Sequence, residues 1–364
     1  MTEALARVKP RVRALEPYRL RAHRPRIKLN QNESPYDFPD DLKELVLAEA
    51  QRRPWHRYPS FQPTLVREAA AARHDWPVEG VLAANGSNEL ILATFLVSVE
   101  PGVRVGFPEP TFALYRLLAE LLGAEVVPLP TPAPFALDAD ALIEAARRQR
   151  LDVLVVCSPN NPTGAALDAD SLARLHDETD ALVVVDQAYV DFGGADARPL
   201  LPGRPRLVVL RTLSKAFALA GLRAGYLLAD PALVEQIDKA RLPYNVNLVT
   251  ELAAAAALRA ADRLRPIVEE VRRTRARLLA RLQALPGVEA FPSEANFVLF
   301  RLHPPAPPPE VVFARLLGEY GILVRDVSRG PHLAGCLRVS VGTPEETEAF
   351  LTALTAVFEA SHAS

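Results

Sequence analysis

The chain has 364 residues, which exceeds one small domain and suits a large domain together with a smaller one. It is 49% apolar and 24% charged with a formal net charge of −2, so nothing favours nucleic acid or an anionic membrane as a partner. No apolar run could cross a bilayer, the charged N-terminus lacks the core of a secretory signal, and two cysteines make no disulfide framework, so we expect a cytoplasmic protein.

The first two thirds of the chain predict helices that alternate with short apolar strands. Residues 1–30 are basic and contain prolines, and we expect an arm without a core of its own. Helices are predicted near 40–52, 64–73, 88–98, 111–122, 138–149 and 168–178. Strands are predicted near 103–107, 124–129, 151–157, 181–186, 206–210 and 224–229. This alternation is typical of an α/β fold with a largely parallel sheet, whose ligands lie at the carboxyl ends of the strands.

The pattern changes after residue 246. A long helical stretch over 247–285 is interrupted by Pro266. Strands near 287–291, 296–302, 321–324 and 335–341 follow, together with helices near 309–319 and 344–359. We therefore predict three segments: 1–57 as an arm and part of the small domain, 58–246 as the large domain that binds the ligand, and 247–364 as the small α+β domain.

Lysine is rare in this chain, and one lysine follows a predicted strand. Among 42 basic residues, the lysines are Lys9, Lys28, Lys43, Lys215 and Lys239. Lys215 lies in RTLSKAFALAGLRAG, just after the apolar run RLVVL. An amine can form an imine and a guanidinium cannot, so a lysine kept in an arginine-rich chain is a candidate for that chemistry. A lysine in a surface loop is the simpler alternative.

Two more strands deliver polar residues to the same predicted edge of the sheet. Asp186 ends the strand in VVVDQAY, and Asn161 lies in CSPNNPTG after another apolar strand. Taken alone, Asp186 could be a helix N-cap and Asn161 part of a turn. A carboxylate in the ligand crevice could instead be the partner of a cationic group.

The remaining motifs favour a phosphate and an aromatic ring. In NGSNEL, Gly86 and Ser87 precede a helix whose N-terminal amides could bind phosphate, although any capped helix looks similar. Ser214 and Arg223 offer a hydroxyl and a guanidinium near Lys215, and Phe112 in PEPTF could cover a ring. Together these features describe a phosphorylated aldehyde with a ring nitrogen, and pyridoxal 5′-phosphate fits.

The chain resembles the fold-type I aminotransferases, and within them the branch that acts on histidinol phosphate. The resemblance runs from about residue 10 to 357 and rests on motifs in the family's order. These are LNQNESP, RYP, NGSNEL, PEPTF, CSPNNPTG, VDQAY, RTLSKAFALAGLRAG, PYNVN, SEANFV and GCLRVSVG. It implies a large domain with a mostly parallel central sheet flanked by helices, and a smaller α+β domain.

The resemblance also implies roles around the cofactor. Lys215 would form the imine with pyridoxal phosphate and act as the base, and Asp186 would pair with the ring nitrogen. Asn161 and Tyr189 would hydrogen-bond the phenolic oxygen, which places Tyr189 in the catalytic set, and Phe112 would stack on the ring. The phosphate would be surrounded by Ser87, Asn88, Thr212, Ser214 and Arg223, and by Tyr58 from the partner subunit of a homodimer.

The implied substrate residues include two arginines. Arg338 in GCLRVS would bind the charged end of the substrate, and Arg325 in ILVRD would be a second substrate arginine. Asn32, Tyr244 and Asn245 would be further pocket residues. The sequence supports Arg338 independently, because a solvated charge would be out of pattern after a cysteine and a leucine, although a strand residue facing water remains the alternative.

Two positions depart from the family pattern. Gln187 follows Asp186 where the family usually has glutamate, and Asn88 stands where it usually has aspartate. Each change removes a negative charge and keeps the size and hydrogen-bonding capacity of the side chain. Neither removes a residue that imine chemistry requires.

The expected reaction is a ping-pong transamination that uses L-histidinol phosphate and 2-oxoglutarate and gives imidazole acetol phosphate and L-glutamate. An aromatic or broad-specificity aminotransferase, or a threonine-phosphate decarboxylase, would use the same pocket, and few residues separate these activities. A ligand-sensing regulator of this fold is disfavoured, because no basic helix-turn-helix precedes the arm. We expect no metal, nucleic acid or membrane partner.

Overall fold

The computed structural model describes residues 3–15, 22–132 and 134–362, so residues 16–21 of the expected arm lie outside the described part. The helices are α1 (Glu3–Ala6), α2 (Pro10–Ala14), α3 (Asp40–Arg52), α4 (Thr64–His74), α5 (Ser87–Ser98), α6 (Leu114–Leu122), α7 (Ala139–Gln149), α8 (Ala169–Asp177), α9 (Pro231–Asp238), α10 (Leu248–Arg259), α11 (Ala261–Gln283), α12 (Pro309–Gly318) and α13 (Pro344–His362). None of these described helices is long and apolar enough to cross a bilayer.

The large sheet has seven strands in the order β2-β8-β7-β6-β5-β3-β4. Its strands are β2 (Val81–Ala84), β3 (Arg104–Pro108), β4 (Glu125–Leu129), β5 (Val153–Cys157), β6 (Leu182–Asp186), β7 (Leu207–Thr212) and β8 (Gly225–Leu228). Strands β3 to β7 pair in parallel, and β8 runs antiparallel to both of its neighbours. The prediction of an α/β fold with a largely parallel sheet is therefore confirmed.

Apolar side chains cover both faces of the large sheet, which is why its central strands are runs of valine. In β6, the side chains of Val183 and Val185 belong to the larger apolar cluster, which includes residues from the C-terminal part of the chain. The side chain of Val184 belongs to a second cluster on the other face, which includes residues of α5 and α6. Side chains alternate along a strand, so Asp186 follows Val184 on the α5–α6 side. The carboxylate of Asp186 therefore lies at the end of β6, on the face of the sheet that α5 and α6 cover.

The small sheet is antiparallel in the order β12-β13-β10-β9, and a separate parallel pair joins β1 to β11. The strands are β1 (Ile27–Lys28), β9 (Val288–Ala290), β10 (Phe297–Leu302), β11 (Ile322–Leu323), β12 (Arg325–Asp326) and β13 (Cys336–Ser340). The last residues of the expected arm pack into the core of the rest of the chain. Ile27 and Leu29 are buried in the main core, because the alternating segment Ile-Lys-Leu can pair with β11.

The structure corrects three details of the predicted elements. The helical stretch breaks at Ala260 rather than at Pro266, which lies inside α11. In the second turn of α11, Pro266 removes only the donor to the carbonyl of Asp262, an exposed residue that water can solvate. The sequence reading missed α9 and β2, and the two alanines of β2 carry little strand preference.

Candidate active site

Three residues predicted to share one edge of the sheet do so in the structure. Asp186 is the last residue of β6, Lys215 lies three residues beyond β7, and Asn161 lies four residues beyond β5. These strands are neighbours in the sheet and run in parallel, so their carboxyl ends meet at one crevice. The geometry therefore favours the crevice over the surface-loop alternative for Lys215.

Lys215 is half-buried, and its amine is held by the backbone. Its Nζ donates a hydrogen bond to the backbone oxygen of Gln31 at 2.9 Å and lies 5.9 Å from the ring centroid of Tyr189. Burial, and next the charge of Arg338, lower the pKa of Lys215 to about 7, although the carboxylate of Glu33 opposes the shift. A large fraction of this amine is neutral near pH 7, as a nucleophile that forms imines must be.

The carboxylate of Asp186 is buried and held by two donors. Its Oδ1 accepts a hydrogen bond from the backbone N–H of Ala188 at 3.0 Å, and its Oδ2 accepts one from the hydroxyl of Tyr115 at 2.7 Å. Burial raises the pKa of Asp186, and both hydrogen bonds oppose that shift. Each oxygen keeps a lone pair, so the carboxylate could still receive a cationic N–H. The sequence analysis did not single out Tyr115.

Tyr189 belongs to a hydrogen-bond chain that joins three parts of the molecule. Its hydroxyl accepts from Nδ2 of Asn32 at 3.1 Å, and Oδ1 of Asn32 accepts from the hydroxyl of Ser340 at 2.9 Å. Asn32 is buried with φ at 54°, a left-handed conformation that asparagine adopts more readily than most residues. Burial raises the pKa of Tyr189 to about 12, so its hydroxyl keeps its proton.

The two predicted substrate arginines lie side by side on the small sheet. Arg325 of β12 is the direct cross-strand partner of Arg338 of β13, and such partners project from the same face. Arg338 is only 7% exposed, which excludes the alternative that it faces water. It donates to Oδ1 of Asn161 and to the backbone oxygen of Asn30, and its guanidinium lies 5.2 Å from the ring centroid of Phe297. Two adjacent guanidiniums can bind a carboxylate or a phosphate.

The predicted phosphate residues gather where α5 begins. Ser87 is buried in the first turn of α5, Thr212 is buried as the last residue of β7, and Ser214 is buried two residues later. Nη1 of Arg223 donates to the hydroxyl of Ser214 at 3.3 Å, and the backbone N–H of Ser214 donates to the hydroxyl of Thr212 at 3.2 Å. Hydroxyls, a guanidinium and a helix N-terminus form a donor set suited to a phosphate dianion.

Two glycines permit this close arrangement. Gly86 precedes α5 with φ at 82°, and a Cβ there would lie 2.9 Å from Nη2 of Arg223. A Cβ on Gly225 would lie 2.6 Å from the backbone nitrogen of Ser87. The N-terminus of α5 is therefore approached by Arg223 on one side and by β8 on the other.

Two predicted cofactor residues lie around this group. Phe112 is half-buried, and its ring meets that of Tyr115 edge to face with 5.7 Å between centroids. Asn88 is exposed in the first turn of α5, and nothing in the structure accounts for its amide in place of a carboxylate.

Of the three remaining predicted residues, Tyr58 and Tyr244 contact each other at the surface, and Asn245 contacts α5. Tyr58 is 81% exposed and stacks on Tyr244 with 4.6 Å between centroids, and Tyr244 also meets Phe61 edge to face. The amide of Asn245 donates to Oε1 of Glu89 at 2.8 Å, which holds Asn245 beside the first turn of α5. Tyr58, Tyr244 and Phe61 form what we call the exposed aromatic cluster.

The structure explains the first departure from the family pattern. Gln187 is 1% exposed, and its Nε2 donates to the backbone oxygen of Ala195 at 2.7 Å. Its Oε1 accepts from the backbone N–H of Ala197 at 3.0 Å. Both the donor and the acceptor of the amide are used, and a carboxylate could supply only the acceptor.

The sequence of the chain is similar to those of known proteins. The family model described as aminotransferase class I and II matches residues 24–354. A curated protein named histidinol-phosphate aminotransferase from Chlorobium phaeovibrioides is 41% identical over 332 residues, which is 91% of each chain.

Solved structures are also similar to the chain. A histidinol-phosphate aminotransferase from Sinorhizobium meliloti in complex with pyridoxal-5′-phosphate superposes with a TM-score of 0.89 at 22% identity, covering 98% of this chain and 99% of that one. An L-threonine-O-3-phosphate decarboxylase from Porphyromonas gingivalis has a TM-score of 0.80 at 25% identity, covering 92% and 99%.

Proposed function

Since the chain belongs to the family of class I and II aminotransferases, we propose that it transfers the amino group of L-histidinol phosphate to 2-oxoglutarate with pyridoxal 5′-phosphate as cofactor. The products are imidazole acetol phosphate and L-glutamate. The choice of substrate is supported by the 41% identity, over 91% of the chain, with a relative named histidinol-phosphate aminotransferase.

The residues present fit the cofactor at its three polar ends. Lys215 offers the amine that an aldehyde needs, and the buried carboxylate of Asp186 has lone pairs left for a protonated ring nitrogen. The donors around Ser87, Ser214 and Arg223 suit the phosphate. Gly86 and Gly225 lie beside these donors, where neighbouring atoms leave no room for a Cβ. The ring of Tyr189 lies 5.9 Å from Nζ of Lys215, and Asn161 accepts a hydrogen bond from Arg338, which supports their proposed role at the ring's phenolic oxygen.

The chemistry divides between the cofactor and the chain. When bound, pyridoxal phosphate withdraws electrons from the Cα of the amino substrate and makes its proton acidic. Lys215 would hold the cofactor, and its Nζ, when free, would be the base that takes the proton from the substrate's Cα and returns it later in the reaction. A pKa of about 7 lets one amine both accept and release a proton at neutral pH.

The paired arginines serve both half-reactions. Histidinol phosphate carries a phosphate and 2-oxoglutarate carries carboxylates, so each substrate presents an anion to Arg325 and Arg338. Arg338 is held by Asn161 and by the backbone of Asn30, which fixes its direction before the substrate arrives. Asn32 stabilises the same side of the candidate site through its hydrogen bonds with Tyr189 and Ser340.

A second candidate keeps the cofactor and changes the outcome. The likeness to a threonine-phosphate decarboxylase, at 25% identity over 92% of the chain, favours a substrate that also bears an amine and a phosphate. An aromatic or broad-specificity aminotransferase would instead accept substrates that lack phosphate. The pair of arginines favours the phosphorylated donors over the aromatic amino acids.

The substrate proposal is tested by a half-reaction. The cofactor-loaded protein is mixed in separate cuvettes with L-histidinol phosphate, L-phenylalanine and L-threonine O-3-phosphate, and the visible absorption of the bound cofactor is followed. We expect the band to disappear at far lower concentrations of histidinol phosphate than of phenylalanine. Equal or reversed preference would move the chain to the broad class, and release of CO₂ from threonine phosphate would make it a decarboxylase.

We also propose a symmetric homodimer with shared active sites, in which Tyr58 serves the cofactor of the partner. The exposed aromatic cluster supports this arrangement, because Tyr58, Phe61 and Tyr244 leave 81%, 55% and 40% of their surface in contact with solvent. The division into segments 1–57, 58–246 and 247–364 is part of the same proposal. Both cysteines are free and buried, which suits the reducing cytoplasm.

A further inference from the structure

Tyr115 is a fully buried tyrosine whose hydroxyl points at the candidate site. It is the second residue of α6, and its side chain has no solvent exposure. Its hydroxyl donates to Oδ2 of Asp186 at 2.7 Å. Its ring meets Phe112 at 5.7 Å and Phe107 at 6.3 Å between centroids, so the hydroxyl has little freedom to point elsewhere.

The ionised form of Asp186 is stabilised by few hydrogen-bond donors, so the contact with Tyr115 is important. Among the described residues, Tyr115 is the one side chain that donates a hydrogen bond to it, and the other donor is the backbone of Ala188. The side chains adjacent to it on the neighbouring parallel strand and on α6 are Cys157 and Tyr115, which are both uncharged. An ionised carboxylate in such surroundings is costly unless hydrogen-bond donors point at it.

We propose that Tyr115 is a positioning residue that, through its hydroxyl, holds the carboxylate of Asp186 in the orientation that receives the protonated ring nitrogen of the cofactor. The inference rests on the proposed function. Phe112, the expected cover of the ring, lies three residues earlier and contacts Tyr115. One short segment therefore sets both the aromatic cover and the direction of the group that pairs with the ring nitrogen.

The hydroxyl of Tyr115 also affects whether Asp186 is ionised. Donation from Tyr115 stabilises the ionised carboxylate, and burial alone raises the pKa of Asp186. Without that hydroxyl, Oδ2 loses its donor in a dry environment, so the carboxyl competes with the ring nitrogen for the proton. A cofactor that shares its proton in this way withdraws electrons less strongly.

The test compares Tyr115→Phe with Tyr226→Phe. Tyr226 is a matched control, since it is also buried and its hydroxyl also makes a 2.7 Å hydrogen bond, to His74 on the other face of the large sheet. We expect Tyr115→Phe to raise the cofactor's dissociation constant and to lower kcat by about tenfold to a hundredfold, as for a lost hydrogen bond to a charged group. KM for the amino donor should change little. The control should lose thermal stability without either effect.

A double-mutant cycle separates positioning from packing. In an Asp186→Asn background, Tyr115→Phe should change the cofactor's dissociation constant less than threefold, because the charge that the hydroxyl orients is gone. An equal loss in both backgrounds, or wild-type affinity in Tyr115→Phe, would overturn the inference. Failure of the wild-type protein to bind the cofactor would instead reject the proposed function.

Discussion

At the scale of the residue, the site is built from groups whose ionisation the fold opposes. The pKa of Lys215 falls from 10.5 to about 7 on burial. Between these two values the unfolded chain binds a proton that the folded chain lacks, so the stability contributed by this residue rises with pH across that window. Below about pH 7 the full cost of the buried ammonium is present. Converting the amine into an imine with the cofactor removes that cost.

Gln187 gives a prediction at the same scale. Gln187→Glu should lower the free energy of unfolding by about 1–3 kcal/mol at pH 8, because the carbonyl of Ala195 loses its donor and faces a buried carboxylate. The introduced carboxyl should have a raised pKa in the fold. The loss should therefore shrink as the pH falls towards 5, where the protonated carboxyl can donate again.

Chemical denaturation of the cofactor-free protein at both pH values measures this effect. Gln51→Glu, on the exposed side of α3, is the matched control and should change stability little at either pH. Equal stability of Gln187→Glu and the wild-type protein at pH 8 would show that the segment around Ala195 rearranges and does not need the donor.

Three of the predicted site residues share a property that Tyr115 lacks. Lys215, Asp186 and Asn161 each lie at the end of an apolar strand or a few residues beyond it, and parallel strands bring their ends together, so the strand pattern predicted their proximity. Tyr115 lies on the buried face of α6 with Leu118 and Ala119, where helical spacing indicates an ordinary core residue. A buried tyrosine needs a partner for its hydroxyl, but only the structure identifies that partner as Asp186.

At the scale of the element, strong patterns predicted what the structure contains. The valine-rich strands β5, β6 and β7 and the capped helices α7 and α8 were all expected. In the two helices, the carboxylates of Asp138 and Asp168 accept hydrogen bonds from first-turn N–H groups. The break at Ala260 was not expected, because proline is a strong local signal for a helix break and alanine is not.

At the scale of the whole molecule, the site depends on segments that are distant in the sequence. The segment that follows β1 lies between the two sheets, where Gln31 accepts from Lys215 and Asn32 joins Tyr189 to Ser340. The loop after β4 makes a second bridge, since Phe135 is buried with its ring 4.9 Å from that of Phe291. No local pattern predicts such contacts, because they form only when both sheets are in place.

The proposed dimer gives a prediction at this scale. Lys215→Ala and Tyr58→Ala should each be weakly active alone, the first without its amine and the second with a weakened hold on the partner's cofactor. When mixed and allowed to exchange subunits, they should recover roughly a quarter of wild-type activity, because half of the dimers would hold one intact site. Activity no higher than the mean of the two separate variants would show that Tyr58 does not serve the partner.

The central claim is that Lys215 carries the cofactor, and reduction with borohydride followed by peptide mapping tests it most directly. Reduction makes the bond between amine and cofactor permanent, and the chain offers the lysines Lys9, Lys28, Lys43, Lys215 and Lys239 as possible sites. We expect trypsin to release residues 212–223 as one peptide that bears the reduced cofactor, since a modified Lys215 resists cleavage. Cofactor on any other lysine, or on none, would contradict the account.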